Sequence, residues 1–213
     1  MADETQSTSK SRFVLGVDLD GVVADFYGRL RVIAAEFLGV PLDTLPEKVR
    51  YGLPEWNLDR AGGYDALHRF AVTQRNLLRE LVPLPGGPAV LRRLSARDVR
   101  IRIITHRLYI KFFHLETVQQ TTEWLEHYGI PYWDLCFMKD KAAVGADLYL
   151  EDSPENVQAL RADGHPTIVF TNSTNVELPG PRANSWEEVE DLVIQELDRR
   201  SREVAQKKGL SGG

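Results

Sequence analysis

A single cysteine, Cys136, is present among 213 residues. One thiol excludes an internal disulfide and a cysteine-based zinc cluster. Cys136 lies in the apolar run Asp134-Leu135-Cys136-Phe137-Met138 and reads as a small core residue, not a nucleophile. No apolar run reaches membrane-spanning length, and no stretch has the form of a secretory signal. The expectation is therefore a cytoplasmic protein with no membrane partner. Positive charge is also in deficit: the net charge is −5 and the isoelectric point about 5.6. That balance argues against a nucleic-acid polymer as partner. Internal repeats and long low-complexity segments are missing as well. What remains, 43% apolar and 27% charged, is ordinary for a soluble globular protein. The length suits one large domain, or a domain that carries a sizeable insertion.

The chain is organised around the stretch from Phe13 to Phe26. Phe13 to Val17 is a short apolar run and reads as a strand buried on both faces. Asp18 and Asp20 follow at its carboxyl end, where open α/β sheets place their ligand crevices. Successive strand residues face opposite ways, so these two acids share a side. Carboxylates that close repel each other unless a cation or a proton intervenes. Gly21 lets the backbone turn sharply and bring amide N–H groups towards an anion. Phosphoryl transfer to an aspartate suits this arrangement. Asp18 would be the nucleophile, and Asp20 the acid for the leaving oxygen and then the base that activates water. Mg²⁺ would be held by Asp18 and the Asp20 backbone carbonyl together with the phosphate. A bare Asp-x-Asp reads equally well as a polar turn that ends a strand. The apolar run before it, Gly21 after it and Asp25-Phe26 behind weigh towards chemistry.

Residues 1–12 are polar and read as a disordered tail. Asp25 to Leu38 reads as a helix, with Leu30, Ile33, Ala34 and Phe37 at helical spacing and Gly39 and Pro41 as its stop. Residues 39–83 change character: they hold Tyr51, Trp56, Tyr64, Phe70 and several prolines, with no strand pattern and one amphipathic helix over Ala66 to Leu81. We read this segment as a small helical cap inserted after the first strand and helix. Most of its aromatics would form its own core, with one or two lining a substrate pocket. From residue 84 to 200 the pattern alternates as in parallel α/β proteins. Strands are expected at Val99–Ile104, Leu135–Met138, Leu148–Leu150 and Thr167–Phe170. Helices are expected at Ala89–Ala96, Thr117–Tyr128, Pro154–Ala162 and Trp186–Arg199. The fold class is thus α/β, a Rossmann-like parallel sheet core made of residues 13–38 and 84–200 with the helical cap between them. Residues 201–213 read as a frayed tail.

Other chemical positions fall at strand ends. Thr105 ends a strand, and its hydroxyl can hold a phosphate oxygen; alone it is an ordinary turn residue. His106 follows it and reads equally as a phosphate contact or a structural residue. Lys141 precedes the strand that ends in Glu151-Asp152 and would neutralise charge on Asp18 and on the phosphoryl oxygens. Lys139 is its rival. Adjacent acids that end an apolar strand are costly without a cation, which makes Glu151 and Asp152 candidate metal ligands.

The order Asp18-x-Asp20, Thr105, Lys141, Glu151-Asp152 resembles the four-motif series of the haloacid dehalogenase superfamily, whose nucleophile motif is written Asp-x-Asp-Gly-x-x-x-Asp. Three runs narrow the resemblance: Asp18-Leu-Asp-Gly-Val-Val-Ala-Asp-Phe26, Pro83-Leu-Pro-Gly86 and Met138-Lys-Asp-Lys-Ala-Ala-Val-Gly-Ala-Asp-Leu-Tyr-Leu-Glu-Asp152. From about Phe13 to Leu197 the chain is similar to the 5′(3′)-deoxyribonucleotidase family. The resemblance implies a Rossmann-like core with a helical cap, Mg²⁺, and hydrolysis of nucleoside monophosphates. The ten-residue step from Lys141 to Glu151 matches the family and favours Lys141 over Lys139. Three departures stand out: His106 where the family commonly has Ser, Glu151 where it has Asp, and Ser153-Pro154 where a base is frequent. With Glu151 in that place, Asp152 would be the direct ligand and Glu151 would act through water. The expected substrate is a small phosphorylated molecule, a nucleoside or deoxynucleoside monophosphate first. A phosphatase for a sugar or other metabolite phosphate and a catalytically silent binding protein are the alternatives.

Overall fold

The structure, a computed structural model, describes residues 12–109 and 111–210, the side chains of 207–210 apart. The expected tail at 1–12 falls, except for Arg12, outside the described residues. Strand β1 (Val14–Val17) leads into α1 (Phe26–Leu38), and α2 (Gly63–Arg75) and α3 (Gly87–Ala96) follow without an intervening strand. Then come β2 (Arg100–Thr105), α4 (His114–His127), β3 (Asp134–Phe137), β4 (Leu148–Glu151), α5 (Pro154–Ala162), β5 (Thr167–Phe170), β6 (Arg182–Ala183) and α6 (Trp186–Leu210). The strands form one parallel six-stranded sheet in the order β3-β2-β1-β4-β5-β6. This is the Rossmann-like α/β architecture expected from the alternating pattern.

Strand β1 sits between β2 and β4, with Val17 level with Ile103 on one side and Leu150 on the other. Chain order reverses between β1 and β4, and at such a switch point the crossovers part and leave a crevice beyond the carboxyl ends of the strands. A strand buried on both faces must be apolar throughout, which is why Leu15 and Val17 are fully buried. Arg100 and Arg102 stand on the more open side of β2 and both reach Asp134 on β3, at 3.0 and 2.9 Å. Those ion pairs account for the alternating charges in an otherwise apolar strand.

Helix α1 starts where expected, with the Asp25 carboxylate accepting from the Gly28 N–H at 3.0 Å as its N-cap. It stops at Gly39 in the left-handed conformation. Helix α2 is shorter than the periodicity of residues 66–81 suggests. Asn76 takes a φ of +47° and ends it, and Leu77, Leu78 and Leu81 are then buried from a turn and not from a helix face. The short strand β6 had no periodicity long enough to announce it. Helix α6 continues to Leu210, past the expected end at Arg199, and Arg199 itself supports the extension through ion pairs with Glu196 and Glu203.

Residues 39–62 are built from short 3₁₀ turns, with Leu53, Trp56 and Leu58 buried. Three buried tryptophans tie the elements together. Trp56 donates to Pro46 O at 3.1 Å, Trp124 of α4 to Leu81 O at 2.7 Å, and Trp186 of α6 to Val22 O at 3.0 Å. Each ring fills core volume while its N–H is satisfied. The last bond anchors the loop that follows Asp20. Among the described residues no helix is long and apolar enough to cross a membrane.

Candidate active site

The carboxyl ends of β1, β2 and β4 converge, and the residues singled out in the sequence meet there. Asp18, Asp20, Thr105, His106, Lys139, Lys141, Glu151 and Asp152 all line one cavity of about 520 Å³. Residues 51–53 and, from α2, Tyr64, Asp65 and His68 line the same cavity.

Asp18 is fixed directly after β1, and its backbone N–H still donates to Leu150 O at 3.1 Å. Its side chain is buried, and Oδ1 accepts from Lys141 Nζ at 2.6 Å. Burial pushes the Asp18 carboxyl up to about 7; Lys141 opposes that shift, while Glu151 and Asp20 add to it. Lys141 is buried too and also donates to Glu151 Oε2. Burial works against its charge, but the two carboxylates outweigh burial and hold its pKa above the ordinary lysine value. Lys139, by contrast, stands exposed at the rim.

Glu151 spends both carboxylate oxygens on protein groups. Oε2 takes Lys141, and Oε1 accepts from the backbone N–H groups of Asp152 at 3.1 Å and Ser153 at 3.0 Å. Asp152 keeps one oxygen without a protein partner among the described residues; the other accepts from Asn172 Nδ2 at 2.7 Å. Burial, then Glu151 and Asp18, push the Asp152 carboxyl well above its ordinary range. Asp18, Glu151 and Asp152 place carboxylate oxygens within 4.8 Å of one another. Two carboxyls raised in this way, each with an oxygen still to spare, form a hard-oxygen donor set that a divalent cation would satisfy.

Gly21 adopts a φ of +85°, and a Cβ there would lie 2.2 Å from Asp152 Oδ2. The glycine is therefore required for both conformation and space. Its amide, expected to turn towards an anion, donates instead to Ala24 O at 3.0 Å, while the N–H groups of Val22, Val23 and Ala24 all turn to Leu19 O. The Asp20 backbone carbonyl receives no hydrogen bond among the described residues. Thr105 is buried with its hydroxyl unbonded among the described residues. His106 is half-buried, and burial, Lys139 and Lys141 lower its pKa.

Sequence reasoning overlooked Arg107. Its side chain is 1% exposed and grips Asp20 with two bonds, Nε to Oδ2 at 3.0 Å and Nη2 to Oδ1 at 2.7 Å. Nη1 donates to Thr121 Oγ1 at 3.1 Å, and the guanidinium lies 5.8 Å from the centre of the Trp124 ring. Only its place two residues after Thr105 could have flagged it. Asn172 and Asn175 were overlooked too, although they follow the carboxyl end of β5, where the rule that marked Asp18 applies equally. Asn175 Nδ2 donates to the backbone carbonyls of Asp152 at 2.9 Å and Phe170 at 2.8 Å.

The sheet order, with acids at its carboxyl edge, is a Rossmann-like α/β fold that solved haloacid dehalogenase-like hydrolases share. A HAD-superfamily hydrolase (subfamily IA, variant 1) from Geobacter sulfurreducens shares that fold, with a TM-score of 0.52 at 16% identity over 85% of this chain and 100% of that one. The sequence match is narrower. The family model described as "5' nucleotidase, deoxy (Pyrimidine), cytosolic type C protein" matches residues 12–199, and the chain belongs to that family. A Chlorobaculum tepidum protein named "Putative 5'(3')-deoxyribonucleotidase" is 57% identical over 185 residues, 87% of this chain and 92% of that protein. The human mitochondrial 5′(3′)-deoxyribonucleotidase is 30% identical over 178 residues, 80% of this chain and 77% of that protein.

Proposed function

We propose that this protein is a Mg²⁺-dependent phosphatase that hydrolyses a deoxynucleoside or nucleoside monophosphate through a phosphorylated Asp18. The observation that carries the reading is Asp18 itself: a buried carboxylate held by Lys141, opposite Asp152 and two residues from an arginine-clamped Asp20. Asp18 Oδ attacks phosphorus, the bond to the leaving oxygen breaks, and the aspartyl-phosphate forms. Asp20 hands a proton to the leaving oxygen and later takes one from the water that attacks the phosphoryl group. Arg107 acts through Asp20 as a positioning residue, since a planar fork fixes both carboxylate oxygens at once. Thr105, His106 and Lys141 receive the phosphoryl oxygens. Gly21 supports the loop by its conformation.

Asp18, Asp152 and the Asp20 carbonyl would hold Mg²⁺, with Glu151 serving to seat Lys141 and to reach the ion through water. When bound, the ion supplies positive charge that keeps Asp18 ionised and polarises the phosphoryl group. Residues 39–83 act as the cap over a catalytic core of residues 13–38 and 84–200. Nucleotides are favoured as substrates because the similar proteins from Chlorobaculum tepidum and human mitochondria carry the deoxyribonucleotidase name. The test is a phosphate-release screen over deoxynucleotides, ribonucleotides and sugar phosphates, with and without Mg²⁺. Deoxynucleotides should lead, and chelation should abolish turnover. Sugar phosphates leading the series would overturn the substrate assignment, and full activity in chelator would overturn the metal.

A further inference from the structure

His68 lies on α2 and lines the cavity that holds Asp18 and Asp20, and none of the roles above uses it. It is 6% exposed. Its ring stacks on Tyr64 (centroids 5.5 Å apart, 18° between planes), meets Tyr109 edge-on at 5.8 Å and approaches Phe26 at 6.3 Å. Nδ1 is sealed from solvent with no hydrogen-bond partner, and Nε2 has no partner among the described residues. Because the side chain lines the cavity while Nδ1 is sealed, the nitrogen that faces the cavity is Nε2.

A neutral imidazole carries one donor and one acceptor nitrogen. Burial favours the neutral form and pushes the His68 pKa down to about 4; Asp20 and Asp65 oppose the shift, while Arg107 and His106 add to it. Of the two tautomers, the one with hydrogen on Nδ1 would bury a donor without an acceptor, which native structures rarely tolerate. Hydrogen on Nε2 instead aims the donor into the cavity. The cavity there is walled by rings and suits a planar aromatic group. A neutral ring offers no charge to a phosphoryl group, for which Lys141, Thr105 and His106 in the same cavity are the better partners.

We propose that His68 is a specificity-determining residue, donating from Nε2–H to a ring carbonyl oxygen of the substrate's nucleobase. The proposal rests on the nucleotidase reading above. It is tested by steady-state kinetics of the Mg²⁺-loaded protein on dUMP, dCMP and deoxyribose 5-phosphate, for wild type, His68→Phe and His68→Gln. Phe fills the ring space and removes the orphaned Nδ1, so it is expected to fold; His68→Met replaces it as the donor-free variant if it does not. Loss of one neutral hydrogen bond should raise KM for dUMP by about fivefold to tenfold and leave kcat within about twofold. Gln keeps an N–H near the place of Nε2 and should restore most of the loss. Deoxyribose 5-phosphate, which has no base, should be unaffected by either change.

An equal rise in KM on dCMP would assign the bond to the carbonyl that the two bases share, and a rise on dUMP alone to the carbonyl that cytosine lacks; both support the proposal. An unchanged KM for dUMP, or an equal rise on deoxyribose 5-phosphate, would overturn it while leaving the nucleotidase reading in place. A wild type that releases phosphate from deoxyribose 5-phosphate but from neither nucleotide would overturn both.

Discussion

Replacing Arg107 by Met leaves Asp20 without either of its two charge-assisted bonds and removes the donor to Thr121 Oγ1, whose hydroxyl still donates to Thr117 O. Breaking a fully buried ion pair by removing one partner costs about 3–5 kcal/mol, because the remaining charge stays desolvated. Here the pair is lopsided: the Arg107 side chain is 1% exposed, but that of Asp20 is 23% exposed and can recover water. The expected loss is therefore smaller, about 2–3 kcal/mol, which for a chain of this size lowers the melting temperature by about 5–10 °C. Arg107→Lys keeps a charge but loses the fork and should fall between wild type and Met. Kinetically, Asp20 keeps its carboxyl but loses its fixed direction, and small misplacements of a reacting group cost up to about 100-fold. A phosphate with an activated aryl leaving group needs little proton donation and should lose less than a nucleotide does. Thermal unfolding and parallel kinetics on the two substrates measure both effects. An unchanged melting temperature for Arg107→Met, with an equal small loss on both substrates, would show that the guanidinium neither holds the fold nor aims Asp20.

Four further outcomes are expected. Asp18→Asn should fold and lose turnover, and activity within about tenfold of wild type, only ~1.4 kcal/mol of barrier, would contradict a nucleophilic Asp18. Asp152→Ala should weaken Mg²⁺ activation more than Glu151→Ala, because Glu151 already gives both oxygens to protein groups, and a titration of activity against Mg²⁺ reads the order directly. Gly21→Ala should destabilise the loop, since the added Cβ would lie 2.2 Å from Asp152 Oδ2 at a φ of +85°, and calorimetry should show a lower melting temperature. His68 works against the fold in acid: its folded pKa of about 4 lies below the unfolded value of 6.5, so the unfolded chain binds this proton first and the His68 contribution to stability falls as pH drops from about 6.5 to 4, by up to about 3 kcal/mol, while the raised carboxyls of Asp18 and Asp152 act in the opposite direction. In urea unfolding, His68→Phe should gain stability relative to wild type as pH falls across that window, and a constant difference between the two would count against the assignment.

Local patterns carried much of the fold and part of the site. Asp18, Thr105 and Glu151-Asp152 were legible because a buried parallel strand is a short apolar run and polar residues at its end have few structural reasons to be there. Helix α1 announced itself through apolar spacing, the Asp25 cap and Gly39. Lys141 was harder, since nothing local separates it from Lys139; burial against Asp18 and Glu151 makes the difference, and that is a tertiary fact. Arg107 looks like a surface residue after a strand, and its partner lies 87 positions away. The Gly21 amide turned inward because the loop closes on Ala24, a bond that spacing cannot reveal. The early end of α2 turned on Asn76, whose side chain permits a left-handed residue without demanding one. His68 falls inside the amphipathic pattern of residues 66–81 and drew no attention there; its packing against Tyr64, Tyr109 and Phe26 shows that it lines the cavity buried.

Rapid acid quenching during turnover shows whether the phosphoryl group passes through Asp18. Protein mixed with Mg²⁺ and a radiolabelled deoxynucleotide, quenched and digested, should carry label on the peptide that contains Asp18, and hydroxylamine should release it as expected for an acyl phosphate. Asp18→Asn should carry none. Label on a different residue, or phosphate release by Asp18→Asn at the wild-type rate, would rule out Asp18 as the nucleophile.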